Sequence, residues 1–154
     1  MRGLSALVLA LSVLSLSACA SMDANNKAKK QQTITPADGL AAQELRSGEC
    51  GVFFWTDNFP RTFVFFQKQG SAEAKYYAGE TEITLSTNQN TSNMDDAPGL
   101  DITYSHDGYM VFHVKGDFAD MLEGGRRITN ARIKTQKPGA WEEIQPVSGV
   151  YVCR

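Results

Sequence analysis

The sequence predicts an all-β fold, a small antiparallel sandwich or barrel, on three observations. Short aromatic and β-branched runs recur from Val52 to the carboxyl end, several alternate apolar and polar side chains with a period of two, and Gly, Pro, Asn and Asp separate them at close intervals. The signals also admit a short N-terminal helix. The chain has 154 residues, with 15 Lys and Arg against 17 Asp and Glu. That length suits one domain plus a tail, and the charge balance offers no basic face for nucleic acid, which is not an expected partner.

Met1-Arg2-Gly3 is a cationic stretch, Leu4 to Leu16 an apolar run of 13 residues, and Leu16-Ser17-Ala18-Cys19 ends it. A run this short cannot cross a bilayer as a helix, which takes roughly 20 residues, and suits the apolar core of a signal peptide. Residues 1–19 resemble the leader and lipobox of bacterial lipoproteins. The resemblance implies that residues 1–18 are removed and that Cys19 becomes the amino terminus, bearing a thioether-linked diacylglycerol and an amide-linked acyl chain such as palmitate. It further implies a membrane partner through the anchor, and, with no Asp directly after Cys19, the outer rather than the inner membrane of the envelope. With Cys19 acylated, two cysteines remain in an oxidising compartment, which leaves the single disulfide Cys50–Cys153.

Residues 19–37 hold Asn, Lys, Gln, Thr and Ala with almost no large apolar side chain. They cannot bury enough surface to offset their ordering entropy and are expected to form a flexible tether of about 23 Å root-mean-square span. The β domain is then residues 38–154. Thr35-Pro36-Ala37-Asp38 has the chemistry of a helix start and Gly48 that of a stop, so a helix over Thr35–Ser47 is expected, with Leu40, Ala41 and Leu45 on one face.

From Val52 the pattern is β. Val52–Thr56 and Thr62–Gln67 flank the turn residues Asp57-Asn58-Phe59-Pro60-Arg61, and both are apolar on both faces. One face should pack the core while the other needs a cover, from the helix or a second sheet. Strict alternation sets Phe63 and Phe65 opposite Val64 and Phe66. Ala74–Ala78 follows a turn at Gln69-Gly70-Ser71, and Thr81–Thr87 alternates, Ile83 and Leu85 inward. Asn88–Gly99 is the longest loop. Leu100–Tyr104 and Tyr109–Lys115 form a hairpin across Asp107-Gly108, with Met110, Phe112 and Val114 on the core face and His113 with Lys115 on the other. Phe118–Leu122, Ile128–Thr135, Trp141–Gln145 and Val150–Cys153 complete the set, with breaks at Glu123–Arg126, Lys137–Gly139 and Pro146–Gly149.

Ser105-His106-Asp107 contains the residue types of a hydrolase triad, but neighbouring side chains in an extended segment diverge, and no Gly-x-Ser-x-Gly elbow exists. His106 and His113 have no metal-ligand spacing, and the Asn88–Gly99 loop has Asn93 where a calcium loop needs Gly and Gly99 where it needs Glu. No metal, cofactor or catalytic residue is expected. Trp55, Phe59, Tyr76, Tyr77 and Trp141 are candidates for a carbohydrate or peptide surface, although aromatic side chains in a small β domain first serve its core. Arg61, Arg126 and Arg127 are candidates for an anion.

Lys115-Gly116-Asp117-Phe118-Ala119 is similar to the Lys-Gly-x-x-Ala motif of membrane-bound inhibitors of c-type lysozyme, which are disulfide-tied β-barrel lipoproteins. Their preceding Ser-Gly-x-x-Tyr motif is not matched, since Pro98-Gly99 stands in place of Ser-Gly and four residues rather than two separate Gly99 from Tyr104. The resemblance implies that Lys115 projects from a turn to meet the enzyme's carboxylates. The leading expectation is instead a lipid-anchored, non-catalytic envelope domain that binds an envelope protein or glycan. The lysozyme inhibitor is the alternative and an enzyme of unidentified chemistry the third.

Overall fold

The computed structural model describes residues 39–94 and 96–154; the leader, the lipobox Cys19, the tether and the helix-start residues Thr35–Asp38 lie outside them. Eight strands follow in chain order: β1 (Cys50–Thr56), β2 (Phe63–Lys68), β3 (Glu73–Tyr77), β4 (Glu82–Ser86), β5 (Gly99–His106), β6 (Met110–Leu122), β7 (Gly125–Gln136) and β8 (Glu143–Cys153). Each pairs antiparallel with the next and β8 pairs with β1, so of the two architectures expected the chain forms the closed barrel. Closure removes the sheet edges that would otherwise template aggregation. Cys50 and Cys153 are register partners on the closing β1–β8 seam and are joined as a disulfide.

The interior is packed with side chains from every strand. Val52, Phe54, Phe65, Leu85, Tyr104, Phe112, Val114, Ile128, Ile133 and Val147 are fully buried, and Phe54, Phe65 and Tyr104 interlock as tilted and edge-on rings. Gln67 is buried among them: its Nε2 donates to Ser71 O at 3.0 Å and its Oε1 accepts from the Tyr104 hydroxyl, so both ends are satisfied. Residues 87–94 and 96–98 have no regular structure, yet they close one end of the barrel, with Met94 in the core and Thr91 Oγ1 donating to Ser71 O at 3.0 Å. The β4–β5 contact is the thinnest seam, with Ser86↔Ser105 its one register pair. Side chains stand in for the missing ladder: Thr87 Oγ1 donates to Thr103 O at 2.7 Å, and Gln89 reaches both Thr103 N and Asp101 O.

Five sequence expectations are corrected. Residues 39–47 are not helical. They run as an extended strap along the outside of β1 and β2, because the outer aromatic face there offers more burial than a lone helical turn. Leu40 N–H donates to Phe63 O at 2.8 Å, and Leu45 is buried against Phe66 in the space that Gly51 leaves open. The strap is thus the cover the outer face needs.

In β2 the alternation fails because a bulge opposite Phe54–Trp55 turns both Val64 and Phe65 inward, leaving Phe63 and Phe66 outside. Phe118–Leu122 is the far half of β6 rather than a separate strand. Gly116 does not break it, since a Cβ there would press on Ile128 and Ala131, and glycine lets β6 and β7 approach. Pro146 does not break β8 either. Its carbonyl accepts Asp57 N–H on the β1 side, so its missing N–H also faces that side, just beyond the last paired residue, Thr56. Trp141 lies in the β7–β8 turn, outside any strand.

Candidate functional site

The outer wall across β1, β8 and β7 carries a groove of about 520 Å³, within the size range of small-ligand sites. Alternation places its parts. Inward Val52 and Phe54 force Phe53 and Trp55 outward, and Trp55 is the register partner of Ser148 on β8. Val150 faces the same way two residues on, opposite Arg127 of β7, so Ser148 and Val150 form a floor between Trp55 on one bank and Arg127 with Thr129 on the other. Arg61, from the β1–β2 connection, closes one end and Leu122 of β6 lines another part.

Two register shifts border this groove. One falls between Phe54 and Trp55, the other between Ile128 and Ala131, where Asn130 takes φ of 50°. Such bulges re-aim side chains at barrel sites. Gly149 faces the interior between the two floor residues, and a Cβ there would strike Phe53 O and the Phe54 ring, so glycine allows β1 and β8 to close behind the groove.

Trp55 is held from behind. Its ring stacks on Phe63 at 5.2 Å and on Phe53 at 6.3 Å, and Phe53 in turn meets Phe66 at 4.9 Å. A ring braced in this way can accept a planar or sugar-like face with little loss of side-chain freedom. Neither Arg61 nor Arg127 is ion-paired among the described residues. Ser148 Oγ donates to Asp57 Oδ1 at 2.5 Å, which fixes the hydroxyl at the rim. The arrangement joins an apolar platform to two forked cationic donors, which can take a carboxylate or phosphate in bidentate fashion. No family model, curated protein or solved structure matches the chain.

Trp55, Arg61 and Arg127 are therefore the sequence candidates that the fold brings together. Arg126 is not with them: it lies over the Phe118 ring, 4.6 Å from its centroid. Tyr76 and Tyr77 pack against the core, and the Tyr76 hydroxyl donates to Gln145 Oε1 at 3.0 Å. Phe59 and Trp141 stand fully exposed on turns. Ser148 and Thr129 were not among the sequence candidates. Counting alternate positions back from Cys153 would have set Ser148 outward, but only with β8 read as unbroken through Pro146.

Lys115 does not project from a turn. It sits in the middle of β6, opposite Asp101 of β5, and pairs with it at 2.9 Å. The unbroken β6 removes the turn that the lysozyme-inhibitor resemblance placed after it. The Lys115 hydrogen bond holds the Asp101 carboxyl below its ordinary range. His113, Arg132 and Lys134 share that wall, and Lys134 pairs with Glu142 at 2.9 Å.

Ser105, His106 and Asp107 do not form a triad. His106 Nδ1 contacts Thr84 O at 2.9 Å, its Nε2 lies 3.2 Å from Asp107, and Ser105 Oγ turns to Ser86 O. The contacts to Thr84 and Ser86 brace the thin β4–β5 seam. Among the described residues, no three His, Cys, Asp or Glu side chains form a metal-holding group.

Proposed function

We propose that this protein is a lipid-anchored, non-catalytic domain of the cell envelope, on the outer membrane, that binds an acidic envelope glycan in the groove of Trp55, Arg61 and Arg127. The observation that carries the reading is two arginines without ion-pair partners among the described residues, set beside a braced tryptophan in one groove. A filled barrel interior supports recognition on the outside rather than within. Trp55 supplies the ring platform, Arg61 and Arg127 hold the carboxylate of the glycan, Thr129 offers its hydroxyl to a remaining oxygen, and Ser148 Oγ, whose proton goes to Asp57, accepts from a sugar hydroxyl.

The experiment is a calorimetric titration of the acylated protein in detergent micelles with a uronic-acid oligosaccharide. Saturable binding is expected, weakened about tenfold or more by Arg127→Ala, since a hydrogen bond to a charged group contributes about 1.5–3 kcal/mol. No heat with the wild-type protein refutes the glycan reading. The anchor is tested separately: Cys19→Ser should move the protein out of the detergent-extracted membrane fraction, and an unmodified Cys19 in the wild-type protein ends that part of the reading.

A further inference from the structure

The turns at one end of the barrel carry apolar side chains that no described residue covers. Four connections meet there: residues 57–62 between β1 and β2, 78–81 between β3 and β4, 107–109 between β5 and β6, and 137–142 between β7 and β8. Phe59 and Trp141, each 96% exposed, stand on the first and last of these. Because β1 and β8 are neighbours on the closing seam, the two turns spring from adjacent strands. Tyr109 and Ile144, each 55% exposed, belong to the same end. Large apolar side chains exposed in this way on one end of a domain mark an interaction surface.

The described residues begin at that end. Gly39 packs against Thr62 and Phe63, and Leu40 N–H binds Phe63 O, so the polypeptide joins the domain beside the foot of the Phe59 turn before running down to Cys50. Ala20 to Gly39 is 20 residues, a reach of at most about 70 Å when fully extended. A membrane holding Cys19 would therefore meet the Phe59–Trp141 end first, and the tether would keep it at high local concentration.

We infer that the Phe59–Trp141 end of the barrel rests on the bilayer that anchors the chain, with both rings in the headgroup layer. This rests on the anchored reading above. Tryptophan suits that layer because its ring is apolar and its N–H still finds a polar partner. Charge does not draw this end down. Its four connections hold Asp57, Glu80, Asp107 and Glu142 against Arg61 and Lys137, so the contact is apolar and needs no anionic lipid.

The test uses the acylated protein on phosphatidylcholine vesicles in which some lipids carry a nitroxide at headgroup depth. The wild-type protein should co-float with the vesicles and show tryptophan quenching, and Trp141→Phe should lose that quenching while still co-floating. Phe59→Ser combined with Trp141→Ser should leave the thermal midpoint unchanged, since both side chains are exposed, and should lower vesicle retention after enzymatic removal of the acylated terminus. Co-flotation without quenching would refute the tip contact and leave the anchor standing. No co-flotation, or no acyl mass on Cys19, would refute the anchor and this inference with it. Tip-dependent dimers in place of lipid quenching would also overturn it, by assigning the surface to a second copy of the chain.

Discussion

Cutting the Cys50–Cys153 bridge should destabilise the barrel without opening it. The two cysteines are 103 residues apart in sequence and face each other at the end of the β1–β8 seam. In the chain-entropy model a closed loop near 100 residues contributes about 4.7 kcal/mol, by restricting the unfolded chain. That is a large share of the roughly 5–15 kcal/mol typical of a domain. For a barrel of this length it corresponds to a fall of about 15–20 °C in melting temperature.

The folded state keeps its closure by other means. β1 and β8 pair from Cys50↔Cys153 to Thr56↔Val147, and beyond the bridge Gly48 N–H binds Arg154 O at 2.6 Å while Arg154 N–H binds Glu49 O at 3.0 Å. The assay is urea unfolding of the wild type and of Cys50→Ser/Cys153→Ser. The variant should show an unchanged native spectrum, a much lower midpoint and a steeper slope, as its unfolded chain expands further. Equal unfolding free energies within about 1 kcal/mol would refute the reasoning, because the loop term could not then be acting.

Other consequences follow from the same packing. Gly149→Ala should cost at least the roughly 1–3 kcal/mol typical of overpacking, because the new Cβ meets the backbone oxygen of Phe53 and the ring of Phe54; a melting point equal to wild type would show that the seam can yield. Leu45→Ala should cost about 2–3 kcal/mol and expose the Phe53–Phe66 face to a fluorescent apolar dye; no dye binding and no loss would mean that the strap is not a cover. Burial holds the Tyr104 phenol protonated above its ordinary range, and burial followed by the Glu143 charge does the same for Tyr76. In the unfolded chain both ionise near pH 10, so stability is full below about pH 10 and falls as pH rises beyond it. A melting temperature that stays flat into strong alkali would contradict this.

Much of the barrel was legible as period-two alternation. Ile83 with Leu85 and Met110 with Phe112 and Val114 face inward as the pattern requires, and Asp107-Gly108 makes its turn with both residues at positive φ, 53° and 76°. What escaped the sequence was decided by tertiary contacts. The cap chemistry around Thr35–Asp38 and the stop at Gly48 describe a helix locally, but Leu40 and Leu45 gain more against the outside of β1 and β2, where Phe63 O also takes the Leu40 N–H. A bulge leaves no local mark in Phe63-Val64-Phe65-Phe66, since all four residues suit either face. Pro146 marks a break by propensity and is tolerated because β1 has ended where its N–H is missed.

The candidate site was legible only in pieces. Trp55, Arg61 and Arg127 were each marked by residue type, but Arg127 lies 72 positions from Trp55, and only the closure of β1 on β8 brings them to one groove. Lys115 shows the reverse failure. A short motif suggested a projecting lysine, and the continuity of β6 turned it into half of a cross-strand ion pair.

Glycan recognition requires that Trp55, Arg61 and Arg127 act on one ligand together. Heteronuclear NMR of the protein with labelled arginine and tryptophan side chains, titrated with a uronic-acid oligosaccharide and its neutral esterified counterpart, answers this most directly. The acid should shift the Trp55 indole and the Arg61 and Arg127 Nε signals with one common affinity, while the ester should leave the two arginines unmoved. Shifts confined to the Lys115–Arg132 wall, or equal responses to acid and ester, would contradict it.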